Sequence, residues 1–249
     1  MKALAHQLSF EQRMFWRSRD AAVFIFIFPL LLYTLLATVY SGEIDGESSA
    51  DVLLAGLFGY GAANTAFGGL AIILVGRREY GILKRLRATP LTPRTYLAAV
   101  LLSILLVFAL QSVALLVLGS LGFGASAPAN ALGFAGSVVL GAACFAGLGV
   151  GAASLIRSAE GVSAVVNVVL LPMAFLSGSF GSTPEDYPAF LEAIADVLPL
   201  TYFLHIVNGV YLDGDSLFAH PRALAVVAAW GLAGLVVAWR RFTWVPRER

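Results

Sequence analysis

Few residues in this chain are able to do chemistry, and their spacing excludes most familiar kinds. A phosphate-binding P-loop needs a glycine directly before its lysine, whereas the two lysines, Lys2 and Lys84, follow Met1 and Leu83. His6, His205 and His220 have no second histidine at metal-binding spacing. Cys144 is the single cysteine and lies in an apolar stretch. It therefore reads as a small buried hydrophobe, with no intrachain disulfide and no multi-cysteine metal cluster. The long apolar stretches hold Asn64, Gln111 and Asn167, but no acid or base at their centres. That removes the usual ion or proton relay of a secondary transporter. What remains is recognition and mechanics: scattered amides in apolar surroundings, and one dense basic segment, RREYGILKRLRAT, at 77–89.

The elements that must carry these groups follow from composition. Of the 249 residues, 59% are hydrophobic and 12% charged, with a mean hydropathy of +0.84, where a soluble domain carries roughly 25% charged residues. The deficit means that lipid solvates most of the chain. About 20 apolar residues cross a bilayer, and six stretches qualify: Ala21–Tyr40, Val52–Gly76, Thr95–Leu118, Ala131–Ile156, Val162–Phe180 and Ala223–Trp239. Backbone groups in lipid must pair internally, and long apolar runs without polar alternation do so as helices. The fold class is therefore all-α, a polytopic membrane protein of six transmembrane helices forming one domain over 1–249. A net charge of +1 leaves no dense cationic face for nucleic acid. The first apolar run begins only after Glu11, Arg13, Arg17, Arg19 and Asp20, which is unlike a cleavable signal peptide, so it is expected to remain as a span.

Charge asymmetry sets the expected orientation. With six spans, every lysine and arginine except Arg222 falls on one side: before span one, between spans two and three, after span four, and at the chain's end. The positive-inside rule makes that side cytoplasmic, with both termini there. The other side carries acids such as Glu43, Asp51, Glu192, Asp196 and Asp213.

Three segments are neither spans nor plain loops. Residues 1–20 mix Leu4, Leu8, Phe10, Met14, Phe15 and Trp16 with basic groups, as an interfacial helix does. In 77–89, Tyr80, Leu83 and Leu86 recur every third residue, and Pro90 and Pro93 stop the helix. This pattern predicts a basic helix with an exposed apolar face, anchored by Glu79 to the surrounding arginines, including Arg13 or Arg17; it serves equally as a bare positive-inside determinant. Residues 184–214 are strongly apolar yet lie outside, so they are expected to dip into the outer leaflet or pack over the spans as short re-entrant helices. Gly147 and Gly151 have the small-xxx-small spacing of close helix contact, and Pro172 is expected to bend span five.

The GRREYGILKRLRATPLTP, LPMAFLSGSF and LPLTYFLHIVNGVYLDG blocks, with six spans and short loops, resemble the permeases of the type-2 ATP-binding-cassette exporter family, close to its daunorubicin-resistance-like branch. The resemblance runs over essentially the whole chain. It implies that 77–89 is a cytoplasmic coupling helix docking on a separate ATP-binding-cassette ATPase, present in two copies. The coupling residues would be Glu79, Gly81, Leu83, Arg85, Leu86, Thr89 and Pro90. The substrate pathway or its outer gate is assigned to Asn64, Asn167, Ser177, Gly178 and Phe180.

The function so implied is the permease subunit of an ATP-driven exporter in the cell (inner or plasma) membrane. It would move an amphipathic substrate (drug, lipid or glycolipid) outward, as in multidrug efflux. A second permease chain, identical or related, would complete the pathway within membrane lipid. The chain itself would be no enzyme and hold no cofactor, with ATP and Mg bound by the ATPase. A non-transporting scaffold that anchors a cytoplasmic ATPase or assembly partner stays open as the alternative.

Overall fold

Apolar runs become helices wherever a capping side chain or a proline lets them start. The computed structural model describes residues 2–40, 42–44, 46–86, 88–181 and 187–245. Helix α1 (Lys2–Arg17) is followed by α2 (Arg19–Val39), where the Ser18 hydroxyl accepts from the Ala21 amide as a cap. A two-residue hairpin, β1 (Glu43–Ile44) with β2 (Glu47–Ser48), leads into α3 (Ser49–Glu79). Then come α4 (Ile82–Leu86), α5 (Pro93–Phe123), α6 (Ala131–Leu155) and α7 (Val162–Leu176). Two shorter helices, α8 (Ala189–Ala195) and α9 (Pro199–Asp213), meet at 78° before α10 (Pro221–Arg241). Thr92 caps α5 and Asn130 caps α6, while prolines open α5, α9 and α10, where a missing amide hydrogen costs nothing. The architecture is all-α and polytopic, with the hairpin the one sheet among the described residues.

Five helices (α2, α3, α5, α6 and α10) are long and apolar enough to cross a membrane. The fifth expected span is shorter than the sequence suggests: α7 has 15 residues, about 22 Å at 1.5 Å per residue. It still reaches both ends of the bundle. The chain just before it meets the end of α3 through Ala159 and Glu79, and the turn after it meets α3 again, because Ser179 lies against Gly56. Tight turns at 177–181 supply the missing length. The bent pair α8–α9 matches the expectation for 184–214 over its described part; residues 184–186 lie outside the described residues.

The two ends differ in chemistry. One gathers the end of α3, α4, the start of α5 and the end of α6, with α1 packed on α5. We call it the basic end, since Arg77, Arg78, Lys84, Arg85 and Arg94 lie there. At the other, the buried Asp51 carboxylate accepts from the Ser126 amide (2.7 Å), and the Tyr211 hydroxyl donates to the Ser126 carbonyl (2.6 Å). These bonds bind the start of α3, the α5–α6 connection and α9 together.

Packing within the bundle is closest between α6 and α10. A Cβ added to Gly147 would lie 2.5 Å from the Gly231 carbonyl oxygen, and one on Gly151 2.7 Å from that of Gly234. The small-xxx-small pair therefore serves contact within the chain. Helices in lipid gain little from apolar burial, so such close backbone approach is a main source of their association. Gly147→Leu is expected to force the two helices apart and lower stability by about 2 kcal/mol, read as a lower thermal midpoint of the purified protein.

Three stretches are π-helical: Ala22–Ile27 in α2, Ala63–Gly69 in α3 and Gly209–Asp213 in α9. A wider turn leaves carbonyls without their usual partners, and in lipid these must be satisfied by side chains. The Gln111 amide donates to the Ile25 carbonyl (2.9 Å) and the Asn64 amide to that of Phe24 (3.0 Å), while the Thr65 hydroxyl donates to Gln111 Oε1 (3.1 Å). The in-membrane amides thus first stitch α2 to α3 and α5.

Candidate functional site

The basic end is built on the last three residues of α3. The Arg77 guanidinium donates to both Glu11 carboxylate oxygens (2.9 and 2.6 Å) and to the Tyr96 hydroxyl (2.8 Å). Such forked pairing is the strongest geometry available to a carboxylate, and here both partners are buried. Arg78, only 1% exposed, donates to the carbonyls of Ala153 (2.7 Å) and Ile156 at the end of α6. Glu79 accepts from the Ala159 amide, just ahead of α7. The expected pairing of Glu79 with Arg13 or Arg17 is therefore corrected. Among the described residues, α1 is held by its own Glu11, which pairs with Arg77 of α3.

The expected helix over 77–89 is also revised. Residues 77–79 finish α3, and Gly81 at φ +68° breaks the chain before the five-residue α4, a backbone region that glycine enters without steric cost. Because the helix is interrupted, the three-residue recurrence of Tyr80, Leu83 and Leu86 does not form one face. Leu83 is fully buried in this chain's core, and Leu86 is half-buried against it. Tyr80 is 70% exposed, and Lys84 and Arg85 are exposed beside it. An outward apolar face made of Leu83 and Leu86 is thus not present; the outward group is an aromatic ring flanked by cations. Arg85 donates to the Tyr80 carbonyl (3.2 Å), and the Thr89 hydroxyl to that of Leu86 (2.7 Å), which shapes the exit toward the exposed Pro90.

A second feature is a cleft of about 630 Å³ between α2, α3 and α7. Its walls include Ser18, Asp20 and Phe24 from the first segment, Tyr60 and Asn64 from α3, and Ser163 and Asn167 from α7. Asn64 and Asn167 thus line one space. The cleft opens on the side of the bundle, where Phe24, Ser163 and Asn167 are exposed. It runs from Ser18 and Ile73 toward Phe28 and Tyr60. Beyond Tyr60 the rings continue: Phe28 lies 6.4 Å from Tyr60, Phe180 lies 5.5 Å from it, and Phe175 lies 4.7 Å from Phe180, centroid to centroid. Among the described residues, Asp20 is the only formally charged side chain on the walls.

The other pathway residues sit at the end opposite the basic one. The buried Ser177 hydroxyl accepts from Thr201 (3.0 Å), whose hydroxyl also lies 2.8 Å from the Ala195 carbonyl, tying the turn to α8 and α9. Gly178 turns the chain at φ +84°. Phe180 reaches the cleft through its contact with Tyr60, whereas Ser177 and Gly178 are not among its walls.

Residues 6–212 match the model of the ABC-2 type transporter family. The chain belongs to that family. As an ABC-2 permease subunit it is a multi-pass membrane transporter component and is not itself catalytic. It is similar to the inner membrane transport permease YhhJ of Escherichia coli (strain K12), with 31% identity over 183 residues, 70% of this chain and 48% of that protein. The same figures hold for the inner membrane transport permease YhhJ of Shigella flexneri. The chain spans about half the length of these curated relatives.

Sequence reasoning on this ABC-2 permease missed several groups. Glu11 and Tyr96 read as ordinary flanking residues, and Arg77 and Arg78 read as part of the basic helix over 77–89 rather than as ties to α1 and α6, although two arginines and an acid directly ending a long apolar run were a signal. Ser163 with Asn167, and Tyr60 with Asn64 and Gly68, recur at four-residue spacing, which places each set on one helix face. Reading that spacing would have found the cleft.

Proposed function

We propose that this chain is the membrane half of an ATP-driven exporter, with its basic end in the cytoplasm of a cell. A separate ATP-binding-cassette ATPase docks on the segment from Glu79 to Pro90 and holds the ATP and Mg. Tyr80, Lys84 and Arg85 meet that partner, while Gly81, Leu83, Leu86, Thr89 and Pro90 set the shape of the turn. Each permease works with a second permease chain and two ATPase copies.

The observation that carries this reading is the lateral cleft. Its walls are largely apolar with isolated amides and hydroxyls, the lining that suits an amphipathic molecule. Its position on the flank of the bundle gives access from lipid and allows a second chain to close it. The rings of Tyr60 and Phe180 stand between the cleft and the far end, in the place a gate needs, with Ser177 and Gly178 forming the turn that holds Phe180. Asp20, the one charged wall residue among those described, favours neutral or cationic substrates over anionic ones. Movement of the walls between two packings gives alternating access.

The test is reconstitution with a candidate ATPase in vesicles, following ATP-dependent movement of amphipathic dyes. Transport of neutral or cationic dyes supports the reading. An ATPase that binds while no dye moves supports the scaffold instead. In the transporting complex, Asn167→Leu is expected to lower dye transport several-fold, on the order of a lost 1 kcal/mol contact, with little change in thermal stability. Asn167 is exposed on the cleft wall, which is why stability and transport separate at this position. Equal transport by the variant would remove Asn167 from the pathway.

A further inference from the structure

Successive helix residues point about 100° apart, so three consecutive polar groups at a helix end reach three different neighbours. Arg77 holds Glu11 on α1, Arg78 holds the last carbonyls of α6, and Glu79 holds the Ala159 amide ahead of α7. We propose that residues 77–79 are positioning residues, a three-way tie through which displacement of the turn at 80–86 moves the two flanking walls of the cleft.

The connections run as follows. From Arg77 the load passes to Glu11, and α1 continues through Ser18 into α2, which supplies Asp20 and Phe24 to one wall. From Glu79 it passes to Ala159 and into α7, which supplies Ser163 and Asn167 to the opposite wall. Arg78 grips α6, which is fastened along its glycines to α10 and serves as the fixed reference. Although α4 has only five residues, the turn moves with its neighbours rather than sliding free, because Leu83 is locked into the core. Each tie joins a charged group to a partner in a site largely shielded from water, where such bonds are strong and directional.

This rests on the reading that an ATPase pushes on the turn, and the experiment separates the two. Spin labels on Phe10→Cys of α1, Val168→Cys of α7 and Val236→Cys of α10, all exposed positions, report the 10–236 and 168–236 distances. They are measured in the full permease–ATPase complex in lipid, with and without trapped nucleotide. Both distances are expected to change in the otherwise unaltered protein. The double variant Glu11→Gln/Arg77→Gln removes both charges together and so leaves no buried ion unpaired. In it α1 keeps its seat on α5 through Phe15 near Val107 and Gln12 on Ser103. The expected result is loss of the 10–236 change with the 168–236 change retained. Arg77→Lys, which keeps the charge but not the fork, is expected to shrink the same change and serves if the double variant does not assemble. A 10–236 change that persists at full size in both variants overturns the tie. No change of either distance in the unaltered complex overturns the reading of an ATPase-driven turn, and the tie with it.

Discussion

Arg78→Ala is expected to destabilise the protein by about 3 kcal/mol, the scale of two lost bonds from a charged donor. The guanidinium is nearly inaccessible and serves the carbonyls of Ala153 and Ile156. Truncation leaves acceptors at the end of α6 without their donor and without water to replace it. It also removes a cation from the negative end of a helix dipole. Thermal unfolding of the purified variant should show a clearly lower midpoint, with Arg78→Lys intermediate because one ammonium cannot span both carbonyls as a fork does. An Arg78→Ala midpoint equal to that of the parent would mean that other groups terminate α6.

The second large effect concerns the partner. Tyr80→Asp is expected to lower ATPase binding by tenfold or more, about 2 kcal/mol for loss of a central aromatic contact, while thermal stability changes little. The ring is mostly outside the chain's own packing, so its loss costs the fold little. Leu83→Asp gives the opposite pattern. A carboxylate placed at a fully buried position costs several kcal/mol, so this variant is expected to destabilise the turn before any docking is measured. Co-purification with the ATPase, read beside thermal stability, separates the two variants. Undiminished co-purification of Tyr80→Asp would move the docking contact elsewhere.

The sequence made the spans legible because lipid imposes one simple rule on a backbone: pair internally. Length and apolarity then suffice, and the long helices fall close to where they were read. The exception is instructive. Residues 177–180, Ser-Gly-Ser-Phe, carry no charge and so pass as the end of a span, but Gly178 at φ +84° turns the chain and the helix stops at Leu176, and hydropathy does not register a dihedral angle. At the basic end the composition was readable but the directions were not. Glu79, Arg77 and Leu83 were recognisable as charged or apolar, yet which neighbour each meets depends on the break at Gly81 and on how α1 lies over α5. The π-helical stretches were invisible, since no residue type demands them. Asn64 and Gln111 were the visible part of that arrangement, set where unpaired carbonyls needed donors.

The glycine contact between α6 and α10 carries a mechanical consequence. Two rods whose main chains touch have no compliant layer of side chains between them, so neither sliding nor rolling is available without collision. That half of the molecule behaves as a keel. Motion is left to the flank where α2 and α7 stand apart across an open space, and the proposed stroke would be expressed there.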